Sequence, residues 1–95
     1  MGVPMIVARK LTLSGRVQRV GFRWFAVEAA EREGVAGWVA NTNDGRVEIL
    51  VEGEAEAVER FERAVRRGPI AARVDEVETE VRPPSGRVAG FVVRR

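Results

Sequence analysis

Two arginines lie between a pair of glycines, and a third arginine follows two residues later. The segment reads Gly15-Arg16-Val17-Gln18-Arg19-Val20-Gly21-Phe22-Arg23. A strand-like run over residues 6–14 precedes it, and a helix-like run over residues 22–33 follows it. In such a strand–loop–helix connection, backbone N–H groups point at one spot, with the positive end of the helix dipole behind them. The segment therefore predicts an anion site, and in the first place a phosphate site.

Arg23 is expected in the first turn of that helix, beside the amides of residues 15–20. Its planar guanidinium can pair with two oxygens of one phosphoryl group. A cation at a helix start is unfavourable unless an anion binds there, because that end of the helix dipole is itself positive. Gly15 and Gly21 permit the turn geometry and the close approach of a ligand. The simpler alternative is a plain strand-to-helix connection with a surface arginine.

Asn41 is a second candidate, at the end of the strand-like run Gly37-Trp38-Val39-Ala40 and just before Asn43-Asp44-Gly45. Asparagine is a poor strand former, so its presence at the end of a strand needs an explanation. Spacing alone favours a role in capping the turn. The functional alternative is that its amide holds a water molecule for attack on a bound phosphate.

The composition removes several classes of catalytic chemistry. The 95 residues include no cysteine, no histidine and no tyrosine. The sequence therefore offers no thiolate nucleophile, no imidazole base and no histidine or cysteine ligand for a metal. Catalysis would have to use arginine, lysine, carboxylates, amides, hydroxyls and backbone groups.

Length, apolar content and charge limit the class of protein. A chain of 95 residues with 45% hydrophobic and 32% charged residues predicts one globular domain over residues 1–95. The net charge is only +2 and the two signs alternate, which argues against a nucleic-acid partner. No apolar run approaches the ~20 residues of a membrane helix, and no signal-peptide pattern opens the chain. We therefore expect a cytoplasmic monomer without a membrane partner.

Hydrophobic periodicity predicts the elements that would position these residues. Strands are expected over residues 6–14, 37–42, 46–52, 74–81 and 91–93, and helices over residues 22–33 and 54–67. The Asp-Gly pair between the second and third strands is a hairpin signal. The order β-α-β-β-α-β with a short final strand predicts an α+β, ferredoxin-like sandwich, in which two helices cover one face of an antiparallel sheet.

Two linked signatures resemble those of the acylphosphatase family. The first is the segment of residues 15–23. The second is the run of residues 37–41, followed by Gly45-Arg46-Val47 and then Gly53. They lie at the family's usual separation, and the resemblance extends to chain length and element order. One position departs from the pattern, because Arg19 stands where the family usually has glycine. If that position needs a positive φ, arginine is disfavoured there.

The resemblance implies hydrolysis of acyl phosphates to carboxylate and inorganic phosphate by direct attack of water. By carry-over, Arg23 binds the phosphoryl group and Asn41 orients the water. The amides that cradle the phosphate belong to Gly15, Arg16, Val17, Gln18, Arg19 and Val20. The implied partner is a small acyl phosphate, and no metal or organic cofactor is implied. The composition suits this reaction, because a carboxylate leaves easily without protonation by the enzyme.

A non-catalytic module of the same fold is the main alternative. RNA-recognition domains of this topology stack bases on aromatic residues of two central strands, but residues 6–14 and 46–52 contain no aromatic residue. A bare phosphate-binding or regulatory module stays open, and Arg19 is compatible with it. Trp24 lies off the apolar stripe of its helix, which predicts partial exposure, whereas Trp38 is expected to pack.

Alternate glutamates in the fourth strand, at positions 76, 78 and 80, have two interpretations. They form a candidate metal site, or a solvated face that keeps an exposed strand from pairing with other chains. The second interpretation is the more usual one for such a pattern.

Overall fold

The computed structural model describes residues 4–94. Within them the chain forms five strands and two helices. In chain order these are β1 (Ile6–Arg16), α1 (Phe22–Glu33), β2 (Ala36–Asn41), β3 (Val47–Glu54), α2 (Ala55–Arg67), β4 (Arg73–Arg82) and β5 (Phe91–Arg94). The sequence-based expectation of a βαββαβ order with a short final strand is confirmed. No helix in residues 4–94 is long and apolar enough to cross a membrane.

The sheet has the strand order β4-β1-β3-β2-β5. The pairs β1–β3, β1–β4 and β2–β3 are antiparallel, whereas β2 and β5 are parallel. The sheet is therefore antiparallel, as expected, except at this one edge. The cause is the path of the chain, because residues 83–90 cross from the end of β4 to the opposite edge at one end of the sheet. Strand β5 then begins at the end where β2 also begins, and Phe91 pairs with Gly37.

Both helices cover one face of the sheet, and the core lies between the two layers. Helix α2 turns the predicted stripe inward, with Val58, Phe61 and Val65 fully buried. Helix α1 buries Phe22 and its alanines, while Phe25 is half-buried against the core. From the strands, the largest fully buried side chains are Leu11, Leu13, Val39, Val47, Ile49 and Val51. Each such side chain stabilises the fold by about 1.5–3 kcal/mol, which fixes the strand register.

One end of the sheet brings together three connections, and we call it the site end. Here Leu13 pairs with Val47, which also pairs with Asn41. On the other side of β1, Arg16 pairs with Arg73 at the start of β4. The β1–α1 loop, the β2–β3 turn and the α2–β4 loop therefore all lie at the site end, together with the last residues of β5.

Candidate active site

Strand β1 continues two residues further than the sequence pattern predicts. The β1–β4 register shifts between Ser14 and Gly15, so Gly15 and Arg16 are strand residues paired with Val74 and Arg73. Gly15 has a φ of +122°, and a Cβ added to it would lie 2.3 Å from the Arg73 carbonyl oxygen. The bulge and the contact with β4 therefore require glycine at this position. The connection between β1 and α1 comprises residues 17–21.

The backbone N–H groups of residues 17–21 form no hydrogen bond with other residues of the range 4–94. Gly21 is the N-cap of α1 in the left-handed conformation, and no side chain caps the helix. The first turn of α1 carries no acidic residue either. Several consecutive donors thus stand at a positive helix end, which is the arrangement that binds anions.

Gln18 fixes this loop to the β2–β3 turn. Its side-chain Nε2 donates hydrogen bonds of 2.8 Å to the carbonyl oxygens of Thr42 and Arg46. The loop after β1 and the turn after Asn41 are therefore held together, although 24 residues separate Gln18 from Thr42. Sequence reasoning placed Gln18 in the amide cradle but gave no role to its side chain.

Arg19 has a φ of +63°, and it is the one non-glycine residue of the range 4–94 with a positive φ. The glycine-like backbone conformation is thus present although the side chain is arginine. A non-glycine residue in the left-handed region costs about 1–2 kcal/mol. The chain accepts this strain at the position where the acylphosphatase signature usually has glycine.

Three exposed arginines surround the loop, and they lack acidic partners. None of Arg16, Arg19 and Arg23 has a carboxylate within 4.0 Å among residues 4–94. Other arginines of this range do have such partners; Arg60 lies 2.7 Å from Glu33, and Arg73, at the start of β4, lies 2.9 Å from Asp75. The positive charges of Arg16, Arg19 and Arg23 are therefore not paired with acidic side chains, which favours the approach of an anion.

Asn41 ends β2 opposite Val47, and it shares the helix-covered face with Val39. Its side chain is half-buried and forms no hydrogen bond with residues 4–94. The turn is capped by Thr42 instead. The Thr42 hydroxyl accepts from the Arg46 N–H at 3.0 Å and donates to the Asp44 carboxylate. Among residues 4–94, Thr42 and not Asn41 therefore caps the turn. The Asn41 side-chain amide has no hydrogen-bond partner there and can bind a water molecule.

Sequence reasoning missed Thr42, although a threonine just before an Asx-Gly turn is a known capping signal. The Thr42 hydroxyl, followed by the charge of Arg46, holds the pKa of the Asp44 carboxyl below its ordinary value. Arg46 also lies 3.5 Å from Asp44. The turn next to Asn41 is thus rigidified by side chains of its own.

The other candidate sites do not form. Glu78 and Glu80 are exposed and face Arg46 and Arg82 at 3.9 and 2.5 Å. Within residues 4–94 no three carboxylates come together in a way that could hold a metal ion. Trp24 is 70% exposed, as its position off the stripe predicts, and Trp38 is half-buried under the Arg94 guanidinium at 4.4 Å.

Comparisons with known proteins agree with the signatures. Residues 9–93 match the family model "Acylphosphatase". A curated acylphosphatase of Pseudomonas paraeruginosa is 54% identical over 83 residues, which is 87% of this chain and 90% of the relative. The crystal structure of acylphosphatase from Bacillus subtilis is 35% identical and superimposes with a TM-score of 0.90, covering 96% of this chain and 100% of that one. A Coxiella burnetii acylphosphatase structure gives 31% identity and a TM-score of 0.88, over 94% and 93% of the two chains. The chain belongs to the acylphosphatase family.

Proposed function

We propose that this chain is an acylphosphatase, which hydrolyses the carboxyl–phosphate bond of acyl phosphates. The observation that carries the proposal is the row of unbonded N–H groups at residues 17–21, at the start of α1 and amid three arginines without acidic partners. Membership of the acylphosphatase family supports the same activity. A cytoplasmic location and a monomeric state remain predictions from the sequence.

Binding of the phosphoryl group is assigned to the loop and to Arg23. The N–H groups of residues 17–21 donate to its oxygens, and the positive end of α1 adds to the attraction. Arg23, exposed in the first helical turn, supplies a planar pair of donors to two oxygens. The tie from Gln18 to the β2–β3 turn holds the amides in place before the substrate arrives.

The role assigned to Asn41 is to orient the attacking water. Its amide stands at the site end without another hydrogen-bond partner among residues 4–94, so it can fix a water beside the phosphorus. The water oxygen forms a new bond to phosphorus while the bond from phosphorus to the acyl oxygen breaks, and its electron pair leaves with the carboxylate. The balance is RCOOPO₃²⁻ + H₂O → RCOO⁻ + H₂PO₄⁻. Both protons of the water are carried by the phosphate product, so no side chain has to protonate the carboxylate leaving group.

This division of work explains how a chain without histidine or cysteine can catalyse the reaction. Phosphoryl transfer depends mainly on positioning and on charge stabilisation over the phosphoryl oxygens. Backbone amides and an arginine supply the charge stabilisation, and one side-chain amide supplies the positioning. The acyl phosphate itself brings the good leaving group.

The proposal predicts that the purified protein hydrolyses benzoyl phosphate in the presence of a chelator and without added metal. Arg23→Ala and Asn41→Ala should each lower kcat by about 10²–10³, the loss expected on removing one donor from a preorganised site. The measurement is the release of benzoate and inorganic phosphate under steady-state conditions. Circular dichroism should show an unchanged fold, because neither side chain belongs to the core.

Two control variants match these substitutions. Arg63→Ala removes an exposed arginine of α2 that also lacks a carboxylate partner among residues 4–94, and Asn43→Ala removes the exposed asparagine two residues after Asn41. Both should retain nearly full activity. An inactive wild type would refute the enzyme proposal. If the wild type instead bound phosphate without turnover, the non-catalytic phosphate-binding module would replace it.

A further inference from the structure

The connection between α2 and β4 exposes an apolar side chain at the site end. It contains Pro69, Ile70, Ala71 and Ala72, and Ile70 is fully exposed. Ile70 therefore contributes nothing to the core, although isoleucine is among the residue types most often buried. A lone exposed isoleucine needs no explanation by itself. We call residues 17–21 the phosphate loop, and the position of Ile70 relative to that loop is the relevant observation.

The α2–β4 connection adjoins both ends of the β1–α1 loop. At one end, a Cβ added to Gly68 would lie 2.9 Å from Cε2 of Phe22, the first residue of α1. At the other end, Arg73 follows the connection directly and pairs with Arg16, the last residue of β1. The connection that carries Ile70 thus begins and ends beside the two elements that the β1–α1 loop joins.

The β2–β3 turn that follows Asn41 lies on the other side of the β1–α1 loop. In the sheet, β4 lies on one side of β1, while β3 and β2 lie on the other. Gln18 ties the loop to the β2–β3 turn on that second side. The phosphate loop is therefore flanked by Asn41 on one side and by the connection with Ile70 on the other.

Phosphoryl transfer has a directional requirement. The attacking and leaving oxygens lie roughly in line on opposite sides of the phosphorus. With the water on the Asn41 side, the acyl oxygen leaves on the side of β4, where Ile70 is exposed on the α2–β4 connection. This step rests on the proposed function, because it uses the water-orienting role of Asn41.

We propose that Ile70 contacts the acyl group of the substrate, and that the enzyme consequently favours acyl phosphates with apolar acyl groups. A benzoyl group extends beyond the carboxylate by a whole phenyl ring, which can make such a contact, whereas an acetyl group ends at a methyl. Binding at such a remote group lowers the barrier because the contact holds the leaving oxygen in line.

The test compares kcat/KM for benzoyl phosphate and acetyl phosphate in wild type and in Ile70→Ser. The ratio of the two values should fall by about 3- to 10-fold in Ile70→Ser, as expected for loss of an apolar contact that is only partly enclosed. Ile70→Leu should keep the ratio. Val81→Ser, which changes an 80% exposed valine near the other end of β4, serves as the control and should also keep it.

A second test adds a positive charge at this position and measures whether activity on an anionic acyl group increases. Ile70→Lys should raise the relative kcat/KM for succinyl phosphate, whose acyl group ends in a carboxylate, by about the same factor. An indirect structural role of Ile70 would not produce this gain.

The outcomes separate the two proposals. If wild type hydrolyses neither acyl phosphate, the proposed function fails and the acyl contact fails with it. If wild type hydrolyses both substrates but the ratio is unchanged in Ile70→Ser, only the acyl contact is refuted. A ratio that responds to Trp24→Ala but not to Ile70→Ser also refutes it, because the apolar contact would then lie on α1.

Discussion

At residue 19, the chain combines a glycine-like backbone conformation with a cationic side chain. Arg19 has a φ of +63°, it is exposed, and no carboxylate of residues 4–94 lies within 4.0 Å of it. The backbone conformation keeps the loop amides in their geometry. The side chain adds a charge where a dianionic substrate must arrive. Local strain of this kind at a site is sustained by the surrounding structure, here the ties from β1 and Gln18.

Replacing Arg19 with glycine separates these two contributions. Arg19→Gly should raise the free energy of unfolding by about 1 kcal/mol, because glycine accepts a positive φ without strain. It should also raise KM for benzoyl phosphate and weaken the dependence of kcat/KM on salt, since one cation is lost. The turnover number should stay largely intact. Chemical denaturation and steady-state kinetics at several KCl concentrations measure these quantities.

Arg19→Ala is the matched control, because it removes the charge but keeps a Cβ on the strained backbone. It should change KM as much as Arg19→Gly does, without the gain in stability. A collapse of turnover in either variant would mean that Arg19 contributes to the chemical step, contrary to this interpretation.

At the scale of elements, the sequence pattern predicted those helix ends and turns that neighbouring residues determine. The apolar stripe and Gly34 define α1 from Phe22 to Glu33, and the Asp-Gly pair defines the β2–β3 hairpin. The extension of β1 to Arg16 was not predictable, because it depends on a bulge that only the pairing with β4 reveals. The tie from Gln18 likewise depends on carbonyl groups of a distant turn.

The bulge in β1 leads to a prediction about Gly15. In Gly15→Ala the new Cβ would approach the Arg73 carbonyl oxygen to 2.3 Å at a φ of +122°. Strain and overpacking should together lower the free energy of unfolding by about 3 kcal/mol or more. Gly90→Ala, at a φ of +74° with open space around it, should cost only about 1 kcal/mol. Urea denaturation of both variants isolates the steric part, and equal losses would show that the bulge tolerates a side chain.

At the scale of the whole molecule, the segment of residues 83–90 joins the two edges of the sheet and is held by Glu52. This carboxylate of β3 is 7% exposed. It accepts hydrogen bonds from the Ser85 N–H at 3.0 Å, the Ser85 hydroxyl at 3.1 Å and the Gly86 N–H at 2.7 Å. The segment then leads to β5, where the Gly37 N–H donates to the Gly90 carbonyl at 2.9 Å. One carboxylate thus fixes Ser85 and Gly86 in the segment that leads into β5.

The charge of Glu52 makes the stability of the whole fold sensitive to acid. The Ser85 and Gly86 donors hold the pKa of Glu52 below its ordinary value of 4.5. The unfolded chain therefore binds this proton more readily than the folded chain does. The stabilisation is fully present above pH 4.5, and it is lost as the pH falls through the lower folded-state pKa.

Glu52→Gln should lower the free energy of unfolding by about 1–3 kcal/mol at pH 7, because the new NH₂ group faces an N–H donor and the charge is gone. The gap between wild type and Glu52→Gln should narrow as the pH is lowered below 4.5, since wild type then loses the same stabilisation. Urea denaturation at pH values between 7 and 3 measures this gap. Glu59→Gln, at an exposed position of α2, should show little difference from wild type at any pH. A gap for Glu52→Gln that stays constant down to pH 3 would show that the crossing segment is held by its backbone path alone, and that the ionised carboxylate adds nothing.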